Sequence, residues 1–246
     1  MGIKFSINEK YPSFEAVLLN IKTYFDASSE SIHKARNELR IATIENEKLV
    51  IKAFKVPHLI NQFAYAYLRD GKARKSYDNA ITLQALHVNT PEPIGLIEFY
   101  RFGLLKESYF IAKHEPYDFT IREAFHHKIE DHQDVIKAFA AFTYDLHVKG
   151  VWHVDYSPGN ILITREAEGY KFSLVDINRM EFKTIESYEG LNNFAKFWAK
   201  EEDLMFLAQT YAVLAGLDED KAVNIALNAA QKLQAKTNLK RKLKGQ

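Results

Sequence analysis

Apolar and polar residues alternate along two stretches of the first half of the chain. Leu39, Ile41 and Ile44 stand at near-alternation, Glu45-Asn46-Glu47 breaks the pattern, and Lys48-Leu49-Val50-Ile51-Lys52-Ala53-Phe54-Lys55 follows. This predicts a hairpin over residues 37–55. Residues 94–100 and 107–113 predict another, with Arg101-Phe102-Gly103 near its turn. A third hairpin is tighter. Ile161-Leu162-Ile163-Thr164 is an apolar run, residues 165–169 are polar and read as the turn, and Tyr170-Lys171-Phe172-Ser173-Leu174-Val175 alternates its side chains.

Helical spacing fills much of what remains. Leu59, Ile60, Phe63, Ala64, Tyr67 and Leu68 mark one face of a helix over residues 57–69, followed by the basic cluster Lys72-Ala73-Arg74-Lys75. Residues 76–87 predict a helix that Thr90-Pro91-Glu92-Pro93 forces to stop. Val135, Phe139, Phe142 and Leu146 are spaced for a helix over residues 132–149, with Gly150 as its C-terminal stop. Helices are also expected at 201–215 and 219–236, and Phe194, Phe197 and Trp198 lie in a segment that either packs or touches a substrate. Residues 1–36 show no clean period and suggest no role. A strand-rich first third and a helical last half meet at His114-Glu115-Pro116, where proline cannot continue a strand ladder. The expected class is α+β with two lobes, residues 1–115 and 116–246.

Composition narrows the functions open to such a chain. Its 246 residues are 47% hydrophobic, enough for a sizeable core. No run reaches the roughly 18 apolar residues of a membrane span, and the first residues lack the apolar centre of a secretion signal. Gly2 and Ser6 fit the short myristoylation pattern only superficially. Cysteine is absent, which excludes disulfides, thiolate nucleophiles and zinc–cysteine sites and makes the cytoplasm the expected compartment. A net charge of +1 points to no nucleic-acid partner. The charge is unevenly placed, however: Lys236, Lys240, Arg241, Lys242 and Lys244 give residues 236–246 a charge of +5, which leaves −4 on the rest. Such a tail is either solvated or a contact for an anionic surface.

The residues with the strongest chemical content surround the third hairpin. His153-Val154-Asp155-Tyr156-Ser157-Pro158-Gly159-Asn160 enters it, and Val175-Asp176-Ile177-Asn178-Arg179 leaves it. In an antiparallel pair the residue entering the first strand lies beside the residue leaving the second, so Asn160 and Asp176 are expected to be neighbours. Two hard oxygen ligands suit Mg²⁺, and Asp155, on the turn before, is placed to accept a hydroxyl proton or orient a nucleophile. Either aspartate alone reads more readily as a turn residue. The ordered set is that of a phosphoryl-transfer site. Lys52 shares a strand face with Val50 and Phe54, where an unpaired ammonium is costly. It either snorkels to water from a sheet edge or meets a nucleotide phosphate. Backbone groups at His114 and Glu115 could pair with an adenine edge.

Taken together, Val50-Ile51-Lys52, His153 to Leu162 and Val175 to Arg179 resemble the protein-kinase-like superfamily, and within it the lipopolysaccharide kinases, in particular the Kdo kinases. Kdo is 3-deoxy-D-manno-octulosonic acid. Asn37, the Lys-Ala-Arg-Lys-Ser-Tyr helix start, Thr90-Pro91-Glu92-Pro93 and Asp-Ile-Asn-Arg in place of Asp-Phe-Gly carry the finer likeness, over roughly residues 35–215. The resemblance implies a bilobal kinase-like fold using ATP and Mg²⁺. Lys52 would hold the α- and β-phosphates, Asp155 would act as base or acceptor-orienting group, Asn160 and Asp176 would hold the metal, and His153 would brace the loop. The first hairpin lacks the Gly-rich phosphate loop of protein kinases. No Glu lies between residues 71 and 91 to pair with Lys52, which leaves Asp78 as the carboxylate of that helix. The long activation segment of protein kinases is absent too, which disfavours a peptide acceptor.

The acceptor implied is a glycolipid, Kdo on a lipid A precursor, reached at the cytoplasmic face of the inner membrane. The basic tail, the 72–75 cluster and the 59–68 face would then share a purpose at an anionic bilayer. Other readings are a small-molecule or protein kinase of related fold, or a nucleotide-binding pseudokinase scaffold.

Overall fold

The computed structural model describes residues 2–28, 30–34, 37–55 and 70–243, which form two compact units, Met1–Pro116 and Tyr117–Gln246. The 59–68 face read from the sequence lies outside the described residues, as does Lys244.

The first unit is built on a six-stranded antiparallel sheet. Its strands are β1 (Gly2–Ile7), β2 (Glu30–Lys34), β3 (Asn37–Ile44), β4 (Glu47–Lys55), β5 (Pro93–Arg101) and β6 (Leu104–Lys113), in the order β1-β5-β6-β4-β3-β2. Both expected hairpins are present: Ile41 pairs with Val50, and Ile97 with Tyr109. Alternation decides which side chains enter the core. Leu49, Ile51 and Ala53 of β4 join Ile97, Tyr109 and Ile111 on one face, against Phe14, Val17, Leu18, Ile21 and Phe25. Those five residues come from the 3-10 turn Pro12–Phe14 and helices α1 (Glu15–Leu19) and α2 (Ile21–Ala27). Their spacing of three, one, three and four is a helical stripe, so the N-terminal segment does carry a period. It is divided over two short helices that meet at Asn20, which hid it. Gly95 lets this layer approach closely, since a Cβ there would stand 2.8 Å from both Leu18 Cδ1 and Ser6 O.

The opposite face of the sheet bears α3 (Lys72–Ala85), which buries Ala73, Ser76, Ala80 and Leu83. The helix starts at Lys72, where the resemblance put it, so the basic cluster ahead of the 76–87 stretch forms its first turn. Cations there oppose the helix dipole, and Arg74 finds compensation at Glu98 of β5, 3.8 Å away and 3% exposed. The helix ends well before Pro91. His87 takes a left-handed φ of 55°, and Val88 N donates to Leu83 O at 2.8 Å, closing the last turn.

The second unit opens with β7 (Phe119–Thr120), α4 (Ile121–Phe125) and the long α5 (His132–Val148). Then come β8 (Val151–His153), the 3-10 turn Pro158–Asn160, the hairpin β9 (Ile161–Glu166) and β10 (Gly169–Leu174), and β11 (Met180–Phe182), which pairs with β8. A 3-10 segment, Ser187–Lys196, leads to α6 (Glu201–Ala215) and α7 (Glu219–Leu243). The β9–β10 turn is shorter than the polar run suggested, because Arg165 and Glu166 continue the strand and Gly169, at φ 97°, begins its partner. Helix α7 likewise runs past 236, so Lys236, Lys240, Arg241 and Lys242 belong to its last turns, where their charge suits the dipole.

The core of this unit is aromatic. Phe197 stacks on Phe125 at 5.1 Å between centroids, meets Phe139 edge-on at 5.3 Å, and tilts against Tyr156 at 5.3 Å. Of the segment left open by the sequence, Phe194 and Phe197 are buried while Trp198 is 50% exposed.

Buried His147 of α5 bonds Tyr211 Oη through Nδ1 at 2.9 Å and faces Asn193 Nδ2 through Nε2 at 3.3 Å. Burial pushes its pKa down from 6.5 to about 4. An unfolded chain therefore takes up a proton here that the folded chain refuses, so this contribution is complete above pH 6.5 and is lost as pH falls towards 4. Within that window stability is expected to fall by up to about 1.4 kcal/mol per pH unit for this group. His147→Gln is expected to flatten that slope, as measured by urea unfolding at a series of pH values.

Candidate active site

The turn and hairpin at residues 153–179 are held together by backbone bonds that the sequence pattern implied. Leu174 pairs with Ile161, and one step further Val175 N donates to Asn160 O at 3.0 Å. Asn160 and Asp176 are thereby brought to the same end of the hairpin. The Asn160 side chain turns back, and its Nδ2 donates to Asp155 O at 2.8 Å. That leaves its amide oxygen as the second arm. Asp176 has a left-handed φ of 54°, a conformation that aspartate tolerates better than most residues. Its Oδ1 accepts from Asn178 Nδ2 at 2.7 Å. An amide oxygen and a carboxylate, both hard donors, fit Mg²⁺ with its remaining positions left to water and phosphate.

His153 explains the local geometry. It is buried, and Nε2 contacts Val175 O at 3.1 Å while Asp155 N donates to Nδ1 at 3.1 Å. A carbonyl only accepts, so Nε2 carries the proton and Nδ1 does not. Burial lowers the pKa of the ring and keeps it in this neutral form. One imidazole thus joins the strand that precedes Asp155 to the strand that leads to Asp176. Beneath it, Tyr156 is fully buried, stacked on Phe139 at 5.7 Å and bonded to Thr143 Oγ1 at 2.8 Å. The far end of the hairpin is tied to the start of α5 through Arg165 and Asp131. The guanidinium holds that carboxyl well below the usual range.

Two cations reach Asp155. Arg179 Nη2 bonds its Oδ2, and Lys196 Nζ lies 3.2 Å from Oδ1 and 2.5 Å from Val154 O. Arg122 also lies against the loop, 2.8 Å from where a Cβ on Gly159 would be. Lys196 has no signal in the sequence. It stands 41 residues from Asp155 at the end of a 3-10 segment whose course no local pattern predicts.

The remaining candidates lie in the first unit. Lys52 is half-buried on the face opposite Leu49, Ile51 and Ala53, its Nζ 5.4 Å from the Phe54 ring. Alternation puts Glu98 on that same side of the sheet. Asp78 is exposed on α3, roughly opposite Ser76 and Ala80 around the helix axis. Its charged neighbours are Arg74 and Asp70, and partial burial raises its pKa. The buried carboxylate against α3 is Glu98, contributed by a strand rather than by the helix. His114 and Glu115 follow β6, and His114 N donates to Lys48 O at 2.8 Å.

These features define a kinase-like α+β protein. A structure described as WaaP in complex with acyl carrier protein matches 94% of this chain and 99% of its own, with a TM-score of 0.62 at 14% identity, a likeness of fold. Residues 117–212 match the lipopolysaccharide kinase (Kdo/WaaP) family, and this stretch includes Asp155, Asn160, Asp176, Arg179 and Lys196. That match lies within the second unit, while the likeness of fold extends over most of the chain. A comparison with curated proteins gives no match.

His153→Phe keeps a ring but removes both hydrogen bonds, leaving Asp155 N–H and Val175 C=O without their partner. At about 1–3 kcal/mol for each orphaned group, and towards the low end because both bonds are only partly buried, the variant is expected to lose about 2 kcal/mol or more of stability in urea unfolding.

Proposed function

We propose that this protein is an ATP-dependent phosphotransferase that places a phosphate on the Kdo sugar of a lipid A precursor. The observation that carries the reading is the Val175 N to Asn160 O bond, which sets two hard oxygen donors beside a loop carrying Asp155. In this reading Asn160 and Asp176 hold Mg²⁺, which when bound offsets phosphate charge. Lys52 takes the α- and β-phosphates, and the backbone at His114 and Glu115 meets the adenine edge. Asp78, assigned to Lys52 from the sequence, stands on the exposed side of α3, so its part in the proposal is the smallest. Asp155 orients the acceptor hydroxyl and takes its proton. Arg179 and Lys196 fix the Asp155 carboxylate, and His153 fixes its backbone.

The family match supports a phosphotransferase, and the missing activation segment supports an acceptor other than a peptide. Incubation with ATP, Mg²⁺ and Kdo-lipid A is expected to add the mass of one phosphate to the lipid. Asp155→Asn is expected to lower turnover by about 100-fold or more while ATP binding survives, and Asp176→Ala to abolish metal-dependent transfer. Near-normal turnover in either variant would overturn these roles. Phosphate appearing only on a free sugar or a peptide would reassign the acceptor.

The proposal includes a peripheral place at the cytoplasmic face of the inner membrane. Among the described residues, no helix is long and apolar enough to cross a membrane. Leu239 and Leu243 are 59% and 79% exposed among the basic residues at the end of α7. Removing residues 236–246 is expected to weaken binding to anionic vesicles, at about 1 kcal/mol per basic residue at low salt. Equal binding to neutral and anionic vesicles would refute the electrostatic part. The WaaP structure holds an acyl carrier protein, and a protein partner of that kind is the second contact to test, by coelution with this chain.

A further inference from the structure

Away from Asp155, three ligating side chains converge where α4, α5 and α6 begin or end. His127 follows the end of α4 at a left-handed φ of 53°, His132 is the first residue of α5, and Asp203 is the third residue of α6. His127 Nε2 lies 2.8 Å from Asp203 Oδ2. The two imidazoles stack with centroids 4.2 Å apart, and one ligand atom from each of the three residues lies within 4.8 Å of the others.

The protonation pattern is informative. Lys200 Nζ lies 3.0 Å from His127 Nδ1. An ammonium only donates, so Nδ1 is an acceptor and the ring proton sits on Nε2, facing Asp203. The Asp203 side chain is 7% exposed, and the partner it meets here is a neutral N–H rather than a cation. A desolvated carboxylate beside two imidazoles is a mixed nitrogen and oxygen donor set with a charge to offset.

We propose that His127, His132 and Asp203 form a binding site for Zn²⁺, with water completing a tetrahedral shell. Two imidazole nitrogens and one carboxylate oxygen suit this ion and are poorly matched to Mg²⁺. Ligands at about 2.0–2.2 Å from a shared zinc stand about 3–3.5 Å from one another. The His127–Asp203 pair is already near that separation, and His132, whose ligand atom lies within 4.8 Å of theirs, reaches it by turning its ring out of the stack so that its nitrogen lone pair faces the ion. The His127 side chain is 27% exposed, which gives the ion a way in. On loading, zinc takes the place of the proton at His127 Nε2 and the neutral ring carries its proton on Nδ1. Lys200 can no longer donate there. It is 56% exposed and lies 3.6 Å from Glu202, so it turns to that partner. Bound zinc would staple the α4–α5 connection to the first turn of α6.

The test is calorimetric titration of the chelator-stripped, full-length protein with zinc chloride, in excess Mg²⁺ so that all-oxygen sites are occupied. The expected result is saturable uptake of a single ion, weakened by about tenfold or more in His132→Asn. Lys200→Ala, which removes the competing ammonium, is expected to tighten it. His126→Asn, at the exposed neighbouring imidazole, and Asp176→Ala are expected to bind zinc as the unaltered chain does. Zinc should also raise the thermal unfolding temperature of the unaltered chain but not of His132→Asn. Absence of saturable uptake, uptake indifferent to His132→Asn, or an equal loss in His126→Asn would overturn the proposal.

Discussion

The hydrogen bond from Val175 N to Asn160 O extends the β9–β10 ladder by one step beyond its last paired residues, and the candidate chemistry depends on that step. Strand register has a period of two, so a slip of one residue would exchange the faces of the whole strand. Phe172 and Leu174 would leave the core, and Asp176 would no longer stand beside Asn160. The register is fixed from below by burial of Ile161, Ile163, Phe172 and Leu174 and at the far end by Arg165 on Asp131. Geometry at the polar end is thus a consequence of apolar packing in the middle.

His153 converts that strand geometry into loop geometry. A single neutral imidazole accepts from Asp155 N and donates to Val175 O, so the turn and the hairpin exit cannot shift independently. The ring is buried and both bonds are shielded from water on its side, where leaving a partner unmet costs more than the bond itself is worth. The same logic applies to Tyr156, whose ring lies among Phe139 and Phe197 and whose hydroxyl meets Thr143. The loop between His153 and Asn160 is therefore pinned at residues 153, 156 and 160, while Asp155 projects from it towards Arg179 and Lys196.

Much of this was legible in the sequence because hairpins declare themselves locally. Alternation at residues 37–55, 94–113 and 161–175 marked the strands, and antiparallel pairing carried Asn160 to Asp176. Local pattern failed where structure is set by distant contacts. The stripe Phe14, Val17, Leu18, Ile21, Phe25 was obscured because two short helices divide it. Periodicity alone began α3 at Ser76, and only the resemblance placed its start at Lys72; the buried Glu98 that compensates Arg74 in that first turn comes from a strand and leaves no local mark. Asp78 was chosen as the helix's carboxylate by elimination. Its position opposite the buried stripe follows only once the stripe is known to run through Ala73, Ser76, Ala80 and Leu83. Lys196 could not be read at all, since the 3-10 segment that delivers it has no regular spacing.

That unread stretch has a further property. Within eight residues, Lys196 touches Asp155, Phe197 sits among Phe125, Phe139 and Tyr156, and Lys200 and Asp203 both meet His127. Phe197 is the pivot, because its buried ring can shift only if the four aromatic rings it meets, Phe125, Phe139, Tyr156 and Phe194, shift with it, and close-packed interiors resist such movement. The first turn of α6 and the ammonium at Asp155 thus belong to one short segment anchored at its middle. The contact at His127 and the contact at Asp155 are therefore delivered by one stretch of chain, whose course is set by the aromatic packing around Phe197 rather than by any local spacing.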